Sequence, residues 1–211
     1  PEPPEEDRKT RFMTPLSPQL IDDFRRADNN DDWLRALQIA QQAISESPNN
    51  ARAHAMSARA HWRLGEIAEC DADVARALQL DANCALAIAT QAGRMADDGQ
   101  TRQAIAQLDT AIDKLPGDAS LHIARGWQHQ ENDRLNEALR DYQQAMALDP
   151  QNMRGYVNAA AVLHSLGRNS EAADLWDNGA NACPDNGQLA YNAGTALYQQ
   201  RDYERAIGHL D

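Results

Sequence analysis

Small and apolar residues return along this chain at a step of 34 residues, starting at Ser17, Ala51, Ala85, Ala119, Met153 and Gly187 with no insertion or deletion between them. Counting from each start, position 20 reads Ala36, Cys70, Ala104, Ala138, Ala172, Ala206, and position 27 reads Ala43, Ala77, Ala111, Ala145, Gly179. Small residues at fixed places let two helices approach closely. Position 15 reads Asp31, Gly65, Gly99, Asp133, Gly167, Arg201, and position 32 reads Pro48, Ala82, Pro116, Pro150, Pro184. The spacing predicts, in each step, a first helix over positions 1–14, a turn near 15 and a second helix over 18–31. A period of this length with this punctuation is that of a stacked helix-turn-helix array.

The local chemistry agrees with the period. Asn152 is placed to cap its helix, as are Asn50, Asp118 and Asn186, while Gly167 suits a left-handed helix end and Pro184 stops the second helix. Where glycine is missing from the turn, Asn30-Asp31 and Asn132-Asp133 stand in, types that tolerate left-handed geometry. Position 24 (Ala40, Val74, Leu108, Tyr142, Trp176, Leu210) and position 17 (Trp33, Ile67, Thr101, Leu135, Asn169, Tyr203) are expected to face inward, with Trp33 and Trp176 as core wedges. Residues 1–16 are rich in Pro and Glu and predict a disordered leader. The last repeat stops at Asp211, inside its second helix, so Ala206, Ile207 and Leu210 are expected to lack a neighbour and the natural protein to continue with more helix.

These positions resemble the tetratricopeptide repeat over residues 17–211, as repeats 17–50, 51–84, 85–118, 119–152, 153–186 and a partial 187–211. The chain departs from the family pattern at position 4, where Leu20, His54, Ile88, His122, Tyr156 and Ala190 replace the usual bulky aromatic. It departs again at position 8, where Phe24 stands beside Ala58, Ala92, Gly126, Ala160 and Gly194. The resemblance implies an all-α fold, a right-handed α-α superhelix of five complete repeats and a truncated sixth. Its first helices would line a concave groove that holds a peptide or a partner protein.

Charge and composition narrow the partners. The chain carries 20 Lys and Arg against 32 Asp and Glu, a formal charge of -12, with a pI near 4.8. Such a balance disfavours nucleic acid and anionic lipid. No apolar run reaches the roughly 20 residues that cross a bilayer, so no membrane insertion is expected. Cys70, Cys84 and Cys183 are scattered without a C-x-x-C pair, which favours a reducing compartment and hence the cytoplasm. A periplasmic or membrane-tethered place is the alternative if a signal or anchor precedes Pro1.

No residue set predicts catalysis, a metal site or a cofactor. His54 and His61, like His122 and His129, occupy positions 4 and 11 of one helix, and no carboxylate or thiol stands near them in sequence at a metal-ligand spacing. They read as core-facing histidines. The groove positions implied by the resemblance supply Arg25, Arg52, Arg59 and Arg63, an electrostatic anchor for an acidic segment or a C-terminal carboxylate. The opposing reading is that Arg59 and Arg63 pair with nearby acids. Met56 and Trp127 are the expected apolar contacts, Tyr191 lies on the same face, and Asn158 and Asn192 share position 6, from which a peptide backbone is within reach. Positions 5 and 9 do not match the family's clamp for the C-terminal carboxylate of heat-shock chaperones. The reading is therefore a non-catalytic scaffold or adaptor. The alternatives are a substrate-recruiting or regulatory array of a larger enzyme, and a homo-oligomer assembled through the open C-terminal end.

Overall fold

The computed structural model describes residues 15–184 and 186–210, and the described residues form six antiparallel helix pairs. They belong to two compact units, one ending at Ala111 and one beginning at Ile112. The first unit holds α1 (Pro18–Asn29), α2 (Trp33–Glu46), α3 (Ala51–Leu64), α4 (Ile67–Leu80), α5 (Ala85–Asp97) and most of α6 (Thr101–Lys114). The second holds α7 (Ala119–Glu131), α8 (Leu135–Leu148), α9 (Met153–Ser165), α10 (Asn169–Ala182), α11 (Gly187–Gln199) and α12 (Tyr203–Leu210). Sequential helices pack in turn from α1 to α5 in the first unit and from α7 to α12 in the second, and first helices also touch one another, α3 against α5 and α7 against α9.

Position 15 sets the geometry of every pair. Asp31, Gly65, Gly99, Asp133, Gly167 and Arg201 all have positive φ, between 54° and 80°. The left-handed residue lets the amide of position 16 reach back to the carbonyl of position 11, as in Glu66 to His61 and Arg168 to Leu163, both 2.9 Å. Because the chain reverses within so few residues, the second helices begin at position 17 and end by 30, one residue earlier than the expected 18–31. The expected caps form: Asn50 Oδ1 accepts the amides of Arg52 and Ala53, Asp118 that of Ser120, Asn152 that of Arg154 and Asn186 that of Leu189. Cys84, at the same place just before the third repeat, makes no side-chain cap bond.

The core of the first unit gathers Leu20, Phe24, Ile39, Ala40, Ala53 and Met56, and Leu16 joins it. The rest of the leader expected over 1–16, apart from Pro15, lies outside the described residues. The core of the second unit gathers Leu139, Tyr142, Tyr156, Leu163, Trp176 and Leu189. The small residue at position 8 has a visible cause: a Cβ on Gly126 would lie 2.8 Å from the Tyr142 ring.

Several expectations change. Position 24 is buried from Ala40 to Trp176, but position 17 is not uniformly inward, since Ile67, Asn169 and Tyr203 are exposed at the solvent-facing start of their helices. Ala206 is buried against its own repeat and does not lack a neighbour, whereas Ile207 is 57% exposed. The side chain of Leu210, and Asp211, lie outside the described residues.

Candidate binding face

The arginines of the first unit are tied to their own repeat array. Arg59 Nε donates to Asp28 Oδ1 at 2.7 Å, and both side chains are only 13% exposed. The Arg63 guanidinium lies 4.9 Å from the Trp33 ring centroid and 3.9 Å from Asp31 Oδ1. Arg25 is half-buried and engaged, and Arg52 is exposed at the start of α3. Of the two readings of Arg59 and Arg63, pairing with neighbouring acids is the arrangement present. Trp62, at position 12, lies across Gly93, where an added Cβ would meet its ring at 2.3 Å, and its Nε1 donates to Asp97 Oδ2 at 2.7 Å. The indole thus fills the space above position 9 of the next repeat.

Met56 offers nothing to a ligand. It is 1% exposed and part of the core, which corrects its assignment as a groove contact. Position 5 of these repeats carries Ala55 and Ala89, both buried, so neighbouring first helices come close enough to cover position 6, including Met56 and Thr90.

The second unit presents different chemistry. Trp127 is half-buried and engaged, not the freely exposed anchor expected. Asn158 hydrogen-bonds the Tyr142 hydroxyl, which itself donates to Gln130 Oε1 at 2.9 Å; burial is the main reason the Tyr142 hydroxyl is held well above its ordinary pKa. Asn192 Oδ1 accepts from Gln188 Nε2 at 3.0 Å. Tyr191 is 61% exposed and Tyr198 63%, the latter edge-on to Tyr203 at 5.3 Å.

The histidine pairs have partners that sequence reasoning missed. Asp73 Oδ1 lies 3.2 Å from His54 Nδ1 and its Oδ2 lies 3.9 Å from His61 Nε2, while His54 Nε2 meets the Pro48 carbonyl at 2.9 Å. Asp141 stands likewise 3.5 Å from His122 and 3.8 Å from His129, and it is gripped by Arg125 at 2.6–3.2 Å. Burial holds the His129 pKa below its ordinary value, with Asp141 opposing. Both aspartates occupy position 23, where other repeats have Ile39, Gln107, Leu175 and His209. Position 23 is acidic only where positions 4 and 11 are both histidine, and that coincidence was the readable signal. Among the described residues no group of three or more His, Cys, Asp or Glu is arranged to hold a metal ion. Burial pushes the Cys70 thiol up to about 11, with Asp71 adding to it, and raises Cys84 as well, so neither is an activated nucleophile.

Comparison with known proteins agrees with this architecture. Residues 51–84 match a model described as tetratricopeptide repeat, and residues 131–167 match one described as TPR repeat. A thermophilic TPR protein of Thermus thermophilus is similar at a TM-score of 0.65 and 21% identity, over 79% of this chain and 91% of that one. Yeast Tom70 is similar at a TM-score of 0.65 and 16% identity, over 82% of this chain and 37% of that one. A chain of the APC/C hetero-tetramer Cut9-Hcn1 is similar at a TM-score of 0.60 and 18% identity, over 90% of this chain and 37% of that one. No curated protein sequence matches the chain significantly. Among the described residues no helix is long and apolar enough to cross a membrane.

Proposed function

The chain is a tetratricopeptide-repeat protein, and on that premise we propose that it is a non-catalytic scaffold that holds a peptide or a partner protein along the face of its first helices. The observation that carries this reading is the contact between successive first helices, α3 with α5 and α7 with α9, which sets the outward positions of neighbouring repeats side by side. A ligand laid there touches Trp127, Asn158, Tyr191 and Asn192 from side chains fixed on packed helices. Pre-organisation of this kind lowers the entropy lost on binding. The free thiols suit a reducing compartment, and the reading places the chain in the cytoplasm.

An acidic segment gains little from the arginine end. To take Arg59, its carboxylate would have to displace Asp28, exchanging one such pair for another, and that anchor reduces to Arg52. Assembly with a second copy is a second reading, motivated by Ile207, an aliphatic side chain 57% exposed on α12. A light-scattering mass that stays monomeric at high concentration removes that second reading.

The test of the main proposal is site-specific photo-crosslinking in lysate of the source organism. A crosslinker at Tyr191 on α11 is expected to trap a discrete partner, and one at Ala68 on the exposed side of α4 to trap none. Equal labelling at both sites, or none at Tyr191, sinks the proposal.

A further inference from the structure

Every ring nitrogen of His54 and His61 faces an acceptor. His54 Nδ1 lies 3.2 Å from Asp73 Oδ1, and its Nε2 lies 2.9 Å from the Pro48 carbonyl oxygen. His61 Nδ1 lies 2.6 Å from Glu66 Oε2, and its Nε2 lies 3.9 Å from Asp73 Oδ2. A carboxylate and a carbonyl only accept, whereas a neutral imidazole carries one N–H. With both rings neutral, one nitrogen of each turns a lone pair toward an oxygen. The His54 side chain is 11% exposed beside an Asp73 that is 22% exposed, so little water reaches that mismatch. Neutral rings also leave the charges of Asp73 and Glu66 unmatched. The other charged groups on the elements around α3 are turned elsewhere or add to the imbalance. On α4, Glu69 stands one turn before Asp73, and Arg76 donates to Asn49 Oδ1 at 2.8 Å. Arg35 and Glu46 of α2 bond Gln38 and Gln42 of their own helix, while on α5 Arg94 lies 3.5 Å from Asp71 and Asp97 accepts from Trp62.

Repeat 4 meets the same need with a fixed cation. Arg125, at position 7 where repeat 2 has Ser57, grips Asp141 at 2.6–3.2 Å, and position 16 is Arg134 in place of Glu66. His122, 8% exposed, has no hydrogen-bond partner on either ring nitrogen, so a second proton there completes no contact with a carbonyl.

We propose that His54 is a proton-operated clasp: with N–H on both nitrogens it ties α4, through Asp73, to the Pro48 carbonyl in the loop joining repeats 1 and 2, and on losing a proton it releases that loop. Of its two bonds the one to the carboxylate survives, because bonds to an ionised partner are about twice as strong as neutral ones. Nε2 then sets a lone pair against the carbonyl oxygen. The loop relies instead on Arg76 at Asn49 and on the Asn50 amide, 3.0 Å from the Ser47 carbonyl. The clasp is complete at low pH and is lost as pH rises through the range in which imidazole changes charge. Arg125 keeps its proton throughout, so repeat 4 has no such step. The clasp operates with or without a ligand on the first-helix face.

The test is nuclear magnetic resonance on the isotope-labelled full chain from about pH 5 to about pH 8. Ring-nitrogen shifts, assigned by through-bond correlation, read the charge of His54. Amide exchange, corrected for the intrinsic effect of pH, reads the protection of residues 47–53. The expected result is one shared midpoint, with protection falling about tenfold as pH rises, the worth of one hydrogen bond from a charged group. Residues 115–121, the matching stretch before and into α7, are expected to change by less than about twofold. Glutamine offers an amide N–H at every pH, so His54→Gln is expected to erase the step and leave the loop protected. A His54 ring that keeps one charge state throughout overturns the proposal, as does a ring that titrates while protection stays constant. So does an equal step in residues 115–121, or a step that persists in His54→Gln. Where that variant does not fold, the shared midpoint in the parent chain decides.

Discussion

The Asp141 cluster offers the sharpest test of what holds a repeat together. Asp141 is 7% exposed, and its carboxylate faces the Arg125 guanidinium, 23% exposed, with His122 and His129 beside it at 8% and 13%. Replacing Asp141 by Leu removes the carboxylate that grips Arg125 and leaves the buried ring nitrogens of His122, which already lack a hydrogen-bond partner, without even a carboxylate nearby. Breaking a buried pair in this way costs about 3–5 kcal/mol. In a unit of about 100 residues each kcal/mol moves the melting temperature by about 4–8 °C, so a loss of at least about 12 °C is expected. The fourfold change His122→Leu, Arg125→Ala, His129→Leu, Asp141→Leu instead makes the cluster apolar, as repeats 1 and 5 already are with Leu20 and Ile39, and with Leu163 and Leu175. Leu is chosen at position 4 because the tyrosine used there in repeat 5, Tyr156, sits 2.9 Å from where a Cβ on Gly179 would be, and repeat 4 has Ala145 at that place. An ion cluster replaced whole by apolar residues is neutral to about 4 kcal/mol more stable. Urea unfolding followed by circular dichroism, with hydrogen exchange to locate the loss, separates the two cases. The reasoning is refuted if the single change costs under about 1 kcal/mol, or if the fourfold variant loses as much as the single one.

Three further outcomes follow from named contacts. Gly93→Ala is expected to destabilise the first unit by about 1–3 kcal/mol in thermal melts, since its Cβ meets the Trp62 ring at 2.3 Å, and adding Trp62→Ala is expected to remove that particular penalty. Arg201→Gly is expected to gain up to about 1 kcal/mol, read as slower hydrogen exchange in α12, because a non-glycine residue with φ of 66° pays for its left-handed backbone; unchanged or faster exchange refutes it. Burial alone would raise the Asp177 pKa, but hydrogen bonds from Arg205 and His209 outweigh it and hold the carboxyl below its ordinary value. A depressed folded pKa means stability fully present above the unfolded value and lost as pH falls through the folded one. Protection of α12 should therefore hold from pH 7 to 5 and drop below about pH 4, and Asp177→Asn should erase that step at a cost of about 0.5–1 kcal/mol near neutrality.

How much of this was legible in the sequence depends on the range of the interaction. The turns and caps were, because a left-handed residue at position 15 and a polar residue before position 1 act within a few residues of themselves. Helix pairing was too, since small residues at positions 20 and 27 announce close approach. Met56 was misread because whether position 6 is open depends on how near the adjacent first helix lies, and that distance is set by Ala55 and Ala89 in two different repeats. Arg59 was readable only as a choice, since its partner Asp28 stands 31 residues away. The histidines were seen without their aspartates for the same reason: His54 and Asp73 are 19 residues apart, on different helices. A comparison of which positions change together across repeats would have joined them.

That joint change bears on how the array finds its pairing. Six helix pairs built on one plan invite exchange, with a first helix closing on the wrong second helix, a known failure of repeat proteins. If α3 closed on α6 in place of α4, His54 and His61 would face Gln107 at position 23 and Asp73 would lose both ring partners. If α9 closed on α8, Tyr156 and Leu163 would be set against Asp141 and strand its charge among apolar side chains. The polar clusters in repeats 2 and 4, lying between pairs whose position 23 is not acidic, thus penalise mispairing by a full pair step more than they reward the native one. Alternation, more than the strength of any one cluster, is what identical helix pairs need to be told apart.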